Sequence, residues 1–160
     1  MGLDPVRIVI PPEQGEAWWQ PRPAGGYVVI KTVTPGHVAM GTQEIDPGGR
    51  VPRHRHPQAQ EVLFVYEGHG LAYIDDTEVV LCPGTTLVMP PNVWHSFVNN
   101  TEAPLRLTWS ITPSGLEGMF RLIGRPKHGN TPRPPDWPPP TAEQAAQFPA
   151  TFGIERALTS

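Results

Sequence analysis

The sequence predicts an all-β domain of the sandwich or barrel type. Between Tyr27 and Ile111, short apolar segments with strand-like alternation follow one another at near-regular spacing, and turn residues separate them. The 22 prolines and 16 glycines supply the many turns that such a fold needs. A chain of 160 residues favours a single domain that is long enough to bury a hydrophobic core.

Residues 1–26 are predicted to form an N-terminal arm that is rich in proline and glycine. Adjacent side chains on a strand point to opposite faces, so Trp18 and Trp19 cannot both enter one core. One covers the barrel and the other contacts a partner subunit, or the arm packs on the outside of its own domain. No basic segment followed by an apolar run is present, and no apolar stretch approaches membrane length, so we expect a cytoplasmic protein with no membrane contact.

Two strands follow the arm, at residues 27–33 and 37–45. The turn Asp46-Pro47-Gly48-Gly49 closes the second of them. In the second strand, side chains alternate between the faces, and Met40 is a candidate for the lining of an apolar pocket. His37 opens this strand away from the other histidines, and we interpret it as a residue that binds no metal.

Three histidines and one glutamate are spaced as ligands of one metal ion. His54 and His56 are two residues apart, so both point to the same face of an extended segment. Glu61 opens the next apolar strand, and His95 lies on a third strand. This set predicts a site for one divalent transition-metal ion per chain, which can be Fe, Mn, Ni, Co, Cu or Zn. Cys82 lies at another turn, and the absence of a thiolate ligand disfavours a structural zinc site.

The strand at residues 61–66 is apolar on both faces. Its outward residues Val62, Phe64 and Tyr66 need a cover, which is either a second sheet layer or a second subunit. Large exposed apolar patches are rare on monomers, so we expect a homodimer in which the arm around Trp18 and Trp19 contributes to the contact.

The remaining barrel strands are predicted at residues 71–74, 78–81, 85–89, 93–98 and 105–111. Residues 113–160 then form an extension that packs on the barrel. A short helical segment begins near Leu116, and residues 126–140 hold seven prolines and run extended over the surface. Thr141 caps a last helix, because Gln144 follows it three residues later.

The spacing of two pieces of the chain points to a known family. The pieces are Gly48, His54, His56, Glu61 and Gly68, followed by Gly84, Pro90, Asn92, His95 and Asn99. They resemble the two-part signature of the cupin superfamily. The second part usually reads Pro-x-Gly, whereas this chain has Pro90-Pro91-Asn92; Asn tolerates a positive φ better than most residues, so we expect the turn to form. The tail also resembles the single-domain cupins labelled quercetin 2,3-dioxygenase-like.

The resemblance implies a double-stranded β-helix, or jelly-roll barrel, at residues 27–112, with short C-terminal helices. It implies metal ligation by His54, His56, Glu61 and His95, and a second role for Glu61 as general base. The C-terminal helices would fold over the barrel mouth, where Met119 and Phe120 either cap the pocket or only seal the barrel end. The candidate pocket residues are Met40, Leu63, Val65, Phe97, Trp109, Met119 and Phe120.

Three classes of function fit these residues. The first is a metal-dependent dioxygenase of a small aromatic or enolic, flavonol-like compound, with dioxygen as co-substrate. The second is a non-oxidative cupin enzyme, such as an isomerase or a polyketide cyclase, and the third is a small-ligand binding module without turnover. Nucleic acid is excluded as a partner, because the net charge is −3 and no basic patch is present.

Overall fold

The computed structural model describes residues 9–157 and confirms the mostly β architecture. The first eight residues of the predicted arm and the last three of the predicted extension lie outside this range. The strands are β1 (Glu16–Trp19), β2 (Tyr27–Thr34), β3 (Val38–Ile45), β4 (Arg50–Arg55), β5 (Gln60–Glu67), β6 (Gly70–Ile74), β7 (Thr77–Leu81), β8 (Thr86–Met89), β9 (His95–Val98), β10 (Leu105–Thr112), β11 (Arg125–Pro126) and β12 (Glu155–Arg156). The helices are α1 (Leu116–Ile123), α2 (Ala142–Ala146) and α3 (Phe148–Phe152).

The strands form two antiparallel sheets, as the jelly-roll barrel requires. Sheet A has seven strands in the order β11-β1-β2-β3-β10-β5-β8, and sheet B has five in the order β12-β4-β9-β6-β7. Every strand predicted between residues 27 and 111 is present. The two-residue strands β11 and β12 were not predicted, and they extend one edge of each sheet with chain from the C-terminal extension.

The core lies between the sheets and follows the two-residue period of the strands. In β10, Leu105, Leu107, Trp109 and Ile111 are all buried, and the residues between them are more exposed. Sheet B contributes further side chains, such as Phe97, to the same cluster. These side chains therefore pack the interior of the barrel.

Residues of the C-terminal extension pack against this core. Helix α1 buries Leu116, Met119 and Phe120, and Phe148 and Ile154 join the same core cluster. The predicted cap of α2 is confirmed, because Thr141 and Gln144 form a reciprocal capping box. No helix within residues 9–157 has the length and apolar content that a membrane crossing needs.

The two adjacent tryptophans of β1 face opposite sides of sheet A. Trp18 packs against the core, whereas the ring of Trp19 lies 5.6 Å from the ring of Tyr27 in an edge-to-face contact. Strand β1 pairs with β2, so three strands (β2, β3 and β10) separate it from β5, which carries Phe64 and Tyr66. The arm and the apolar face of β5 thus lie at different parts of sheet A.

Asn92 takes the positive φ that the departure from the family pattern requires. Its φ is 70°, and its backbone N–H donates to the carbonyl of His56 over 2.9 Å. The turn is therefore preserved with Asn in place of Gly, and it fixes the backbone next to a predicted metal ligand.

We expect Asn92→Val to destabilise the metal-free protein by about 1–3 kcal/mol, because a β-branched residue is strained at positive φ. Asn92→Gly should keep the stability within about 1 kcal/mol of the wild type. Urea unfolding of the chelator-treated protein measures both changes. Asn100→Val, at an exposed position, is the matched control, and equal losses in the two valine variants would contradict the role of the positive φ.

Candidate metal centre

Four side chains of metal-ligand type converge at one point inside the barrel. Each of His54, His56, Glu61 and His95 offers a ligand atom, and these atoms all lie within 4.8 Å of one another. The four residues are at most 6% exposed. The convergence agrees with the spacing of the sequence, and this buried cluster can hold a metal ion.

Both sheets contribute to the cluster. His54 on β4 lies directly opposite His95 on β9, and their ring centroids are 4.2 Å apart. The pairing of β4 and β9 is irregular between Val51 and His54, which is the kind of bulge that redirects side chains near active sites. Glu61 approaches from β5 of sheet A, between β10 and β8. The site therefore depends on the packing of one sheet against the other.

In each of the three imidazoles, the Nδ1 atom lies within hydrogen-bond distance of a backbone carbonyl oxygen. The Nδ1 atoms of His54 and His95 lie 2.8 and 2.9 Å from the carbonyl oxygens of Pro52 and Val93. The Nδ1 atom of His56 lies 3.2 Å from the carbonyl oxygen of Gly153. A carbonyl only accepts, so each Nδ1 carries the proton and donates. Each Nε2 is then left with a lone pair, which is the form that binds a metal.

The Nε2 atoms meet the carboxylate of Glu61 without forming hydrogen bonds. Glu61 Oε2 lies 3.2 Å from His95 Nε2 and 3.5 Å from His56 Nε2, and all three atoms are buried and unpartnered. Buried polar atoms without partners are rare and costly in native structures. A cation among these atoms would satisfy all of them, so the donor set fits a divalent transition metal.

The protonation states of the cluster are compatible with metal binding at neutral pH. Burial lowers the pKa of His54, and the neighbouring His95 and His56 lower it further, so its imidazole is neutral. Burial alone would raise the pKa of Glu61. With the facing Nε2 atoms unprotonated, a cation bound among them would lower this pKa and keep the carboxylate ionised, as a metal ligand must be.

A small cavity of about 40 Å³ adjoins the cluster. His54 and Glu61 lie in its wall, and five of the predicted pocket residues line it: Leu63, Phe97, Trp109, Met119 and Phe120. The ring centroid of Trp109 is 5.3 Å from that of Phe120, so the barrel and helix α1 meet there. Gly41 makes room for Trp109, because a Cβ at this position would lie 2.7 Å from the Trp109 ring.

Two predicted pocket residues lie elsewhere. Met40 is 40% exposed on the outer face of β3, because the inward positions of this strand are Ala39, Gly41, Gln43 and Ile45. Its assignment to the pocket is therefore corrected. Val65 is buried on the inner face of β5, but it lies outside the lining of the cavity and packs in the core.

Sequence reasoning missed several residues of the cavity wall. Val51 and Pro52 line the cavity at the bulge of β4. This bulge leaves no recognisable pattern in the sequence. Gln43 could have been predicted as a cavity residue, because it shares one face of β3 with Ala39 and Gly41. Ile154 and Arg156 come from the end of the chain, and only their contact with the barrel brings them to the site.

Comparison with known proteins agrees with this geometry. The family model described as "Cupin domain" matches residues 41–111, which include all four residues of the cluster. Germin-like protein 1 of Brassica napus is 34% identical over 108 residues, which cover 56% of this chain and 52% of that protein. Quercetin 2,3-dioxygenase of Bacillus subtilis is 28% identical over 103 residues, which cover 64% of this chain and 30% of that protein.

Among solved structures, an RmlC-like cupin from Shewanella frigidimarina has a similar fold. The TM-score is 0.58 at 22% identity, and the match covers 67% of this chain and 91% of the other. The chain spans about half the length, or less, of the curated relatives just named.

Proposed function

We propose that this chain, in which residues 41–111 match the cupin domain family model, is a metal-dependent dioxygenase of a small aromatic or enolic compound. The observation that carries this proposal is the set of unpartnered buried atoms on His56, Glu61 and His95. With His54, they would hold one divalent transition metal by three imidazoles and one carboxylate. A metal bound there would supply open coordination positions and redox chemistry toward dioxygen.

The residues around the cluster have separate tasks in this proposal. Glu61 would accept the proton of a substrate hydroxyl at its carboxylate, since this side chain lies in the cavity wall. Leu63, Phe97 and Trp109 would position a flat apolar substrate. Helix α1, through Met119 and Phe120, would keep bulk water from the site.

The dimensions of the cavity favour a small substrate over a three-ring flavonol. Sites that enclose drug-sized ligands have volumes of about 300 Å³ or more, whereas this cavity measures about 40 Å³. A flavonol would enter only if helix α1 and the end of the chain moved away. A small enolic compound requires much less opening.

An oxygen electrode tests the proposal. The purified protein is stripped with a chelator and reloaded separately with Fe, Mn, Co, Ni, Cu or Zn, and dioxygen uptake is followed with a series of enolic and aromatic compounds. We expect uptake coupled to substrate loss with at least one redox-active metal, and none with redox-inert Zn. Substrate conversion at the same rate without dioxygen would instead indicate an isomerase or a cyclase. Ligand binding without product would indicate a binding module.

We further propose that the chain forms a homodimer. Phe64 and Tyr66 on β5 are each 42% exposed, and Val88 on the neighbouring edge strand β8 is 57% exposed. Together they make an apolar patch on the outer face of sheet A, next to an unpaired strand edge, and a second copy would cover both.

We expect light scattering at micromolar concentration to give the mass of a dimer. The double substitution Phe64→Ser and Val88→Lys should shift this mass toward the monomer, because both changes disfavour burial of the patch. Val80→Lys is the matched control, since Val80 is 67% exposed on β7 of the other sheet. A wild-type protein that runs as a monomer would contradict the proposal.

A further inference from the structure

The side chain of Arg156 lies on the inner face of sheet B. In the pairing of β12 with β4, Arg156 lies directly opposite His54, and Glu155 lies opposite Arg55. Directly opposite residues of an antiparallel pair share a face. Arg55 and Glu155 form a 2.8 Å ion pair on the other face. Arg156 therefore points to the side of the sheet where His54 joins the metal cluster, and it lines the same cavity as His54 and Glu61.

The guanidinium of Arg156 has no anionic partner within residues 9–157. Its polar contact is the Met119 Sδ atom at 3.9 Å, which is a weak acceptor, and its Cζ lies 5.3 Å from the centroid of the Phe148 ring. By contrast, Arg106 is held by Glu44 and Glu67 at 2.8 and 2.7 Å. A largely desolvated arginine stays charged, so its donors remain available for an anion.

The charges in the cavity wall favour an anionic ligand. Among the described residues 9–157, Glu61 is the only acidic one that lines it. A divalent metal and Glu61 together carry a net charge of about +1, and Arg156 raises the total to about +2. An uncharged ligand would leave this excess uncompensated in an apolar, enclosed space, whereas an anion would offset it.

Arg156 also lines a second cavity of about 60 Å³, whose wall includes Gln20 to Ala24, Pro139 and Pro140. The two cavities share Arg156, Gln43, Val51, Pro52, Met119 and Phe120. Arg156 thus borders both cavities, and its guanidinium can bind one end of a small molecule whose other end faces the metal cluster.

We propose that Arg156 binds a carboxylate of the substrate, so that this site takes a small organic acid and discriminates against neutral compounds of the same shape. The inference rests on the proposed function, because it defines the substrate class of the same site. The planar guanidinium would form a bidentate, charge-assisted pair with the carboxylate. The apolar wall around Phe97 and Trp109 would enclose the rest of the acid.

Calorimetric titration of the Zn-loaded protein tests this without requiring turnover. The probes are two acids of different size, pyruvate and benzoate, each paired with its uncharged amide, pyruvamide and benzamide. We expect at least one acid to bind with a Kd of about 1 mM or tighter and more strongly than its amide. Arg156→Met should weaken acid binding about 10- to 100-fold and amide binding much less, because only the acid loses a charge-assisted pair. Arg156→Lys should restore part of the loss, because it keeps the charge without the bidentate geometry.

Arg50→Met is the matched control, because Arg50 is an exposed arginine on the same strand as His54. It should retain the wild-type preference for acids. Zinc content and thermal unfolding of each variant check that the site is intact. Acid and amide binding of equal strength, binding of neither acid, or an unchanged preference in Arg156→Met would each overturn the inference. Dioxygen uptake with neutral enols alone would overturn it while leaving the proposed dioxygenase activity in place.

Discussion

His95→Ala is expected to abolish stable metal binding. The imidazole of His95 is fully buried and would supply one of four donors, and its Nδ1 atom already contacts the carbonyl of Val93. Loss of an outer-shell partner alone typically lowers metal affinity about 10- to 100-fold, so loss of a direct ligand should exceed that. Metal analysis after dialysis, and competition with a chromogenic chelator, measure the change.

The same variant should lose the stabilisation that the metal gives. At a free metal concentration of about 100 Kd, a ligand that binds only the folded state adds about 2.7 kcal/mol. We therefore expect added metal to raise the melting temperature of the wild type and to leave that of His95→Ala unchanged. His69→Ala is the matched control, because His69 is exposed in the connection between β5 and β6 and is not part of the cluster. Wild-type metal content in His95→Ala would exclude it as a ligand.

Glu61→Gln is expected to lower turnover about 10²- to 10⁴-fold while part of the metal remains bound. The amide keeps the shape and one oxygen donor, but it carries no charge and is no longer a base at neutral pH. If Glu61 acts only as a ligand, metal content and turnover should instead fall in parallel. Turnover divided by metal content, measured once a substrate is known, separates these two results.

Glu67→Gln is the control for the charge change, because Glu67 ends the same strand and is exposed. It should leave both metal content and turnover at the wild-type level. Wild-type metal content and wild-type turnover in Glu61→Gln would rule out the base role. The three imidazoles would then be the essential metal ligands, and the metal would act as a Lewis acid.

The sequence was most informative where the chemistry is local. Two histidines two residues apart on an extended segment must share a face, and the apolar alternation around Glu61 places its carboxylate on the inner face of a strand. The strand pattern likewise predicts each barrel strand, because turns and period-two alternation are encoded by neighbouring residues. Asn92 shows that even a departure from the family pattern can be understood from the φ preference of one residue.

What the sequence could not predict depends on contacts between distant segments. The pairing of Arg156 with His54 joins residues about a hundred positions apart, and a two-residue strand has no periodicity to detect. The three carbonyls that orient the imidazoles have no side-chain signature, since every residue has a carbonyl. The prediction for Met40 was wrong because strand alternation does not say which of the two faces is the inner one. The burial of Ala39 and Gln43 shows that Met40 lies on the outer face.

The bond from His56 Nδ1 to the carbonyl of Gly153 has a consequence for the whole C-terminal extension. Gly153 ends helix α3 in a left-handed conformation, and it lies immediately before Ile154 and strand β12. This segment therefore helps to orient a predicted metal ligand that is almost a hundred residues earlier. We expect metal binding and docking of the segment to be thermodynamically linked, so that each strengthens the other by the same factor. Chelation should accelerate proteolysis in the proline-rich segment at residues 126–140, and truncation before Gly153 should weaken metal retention to a matching extent.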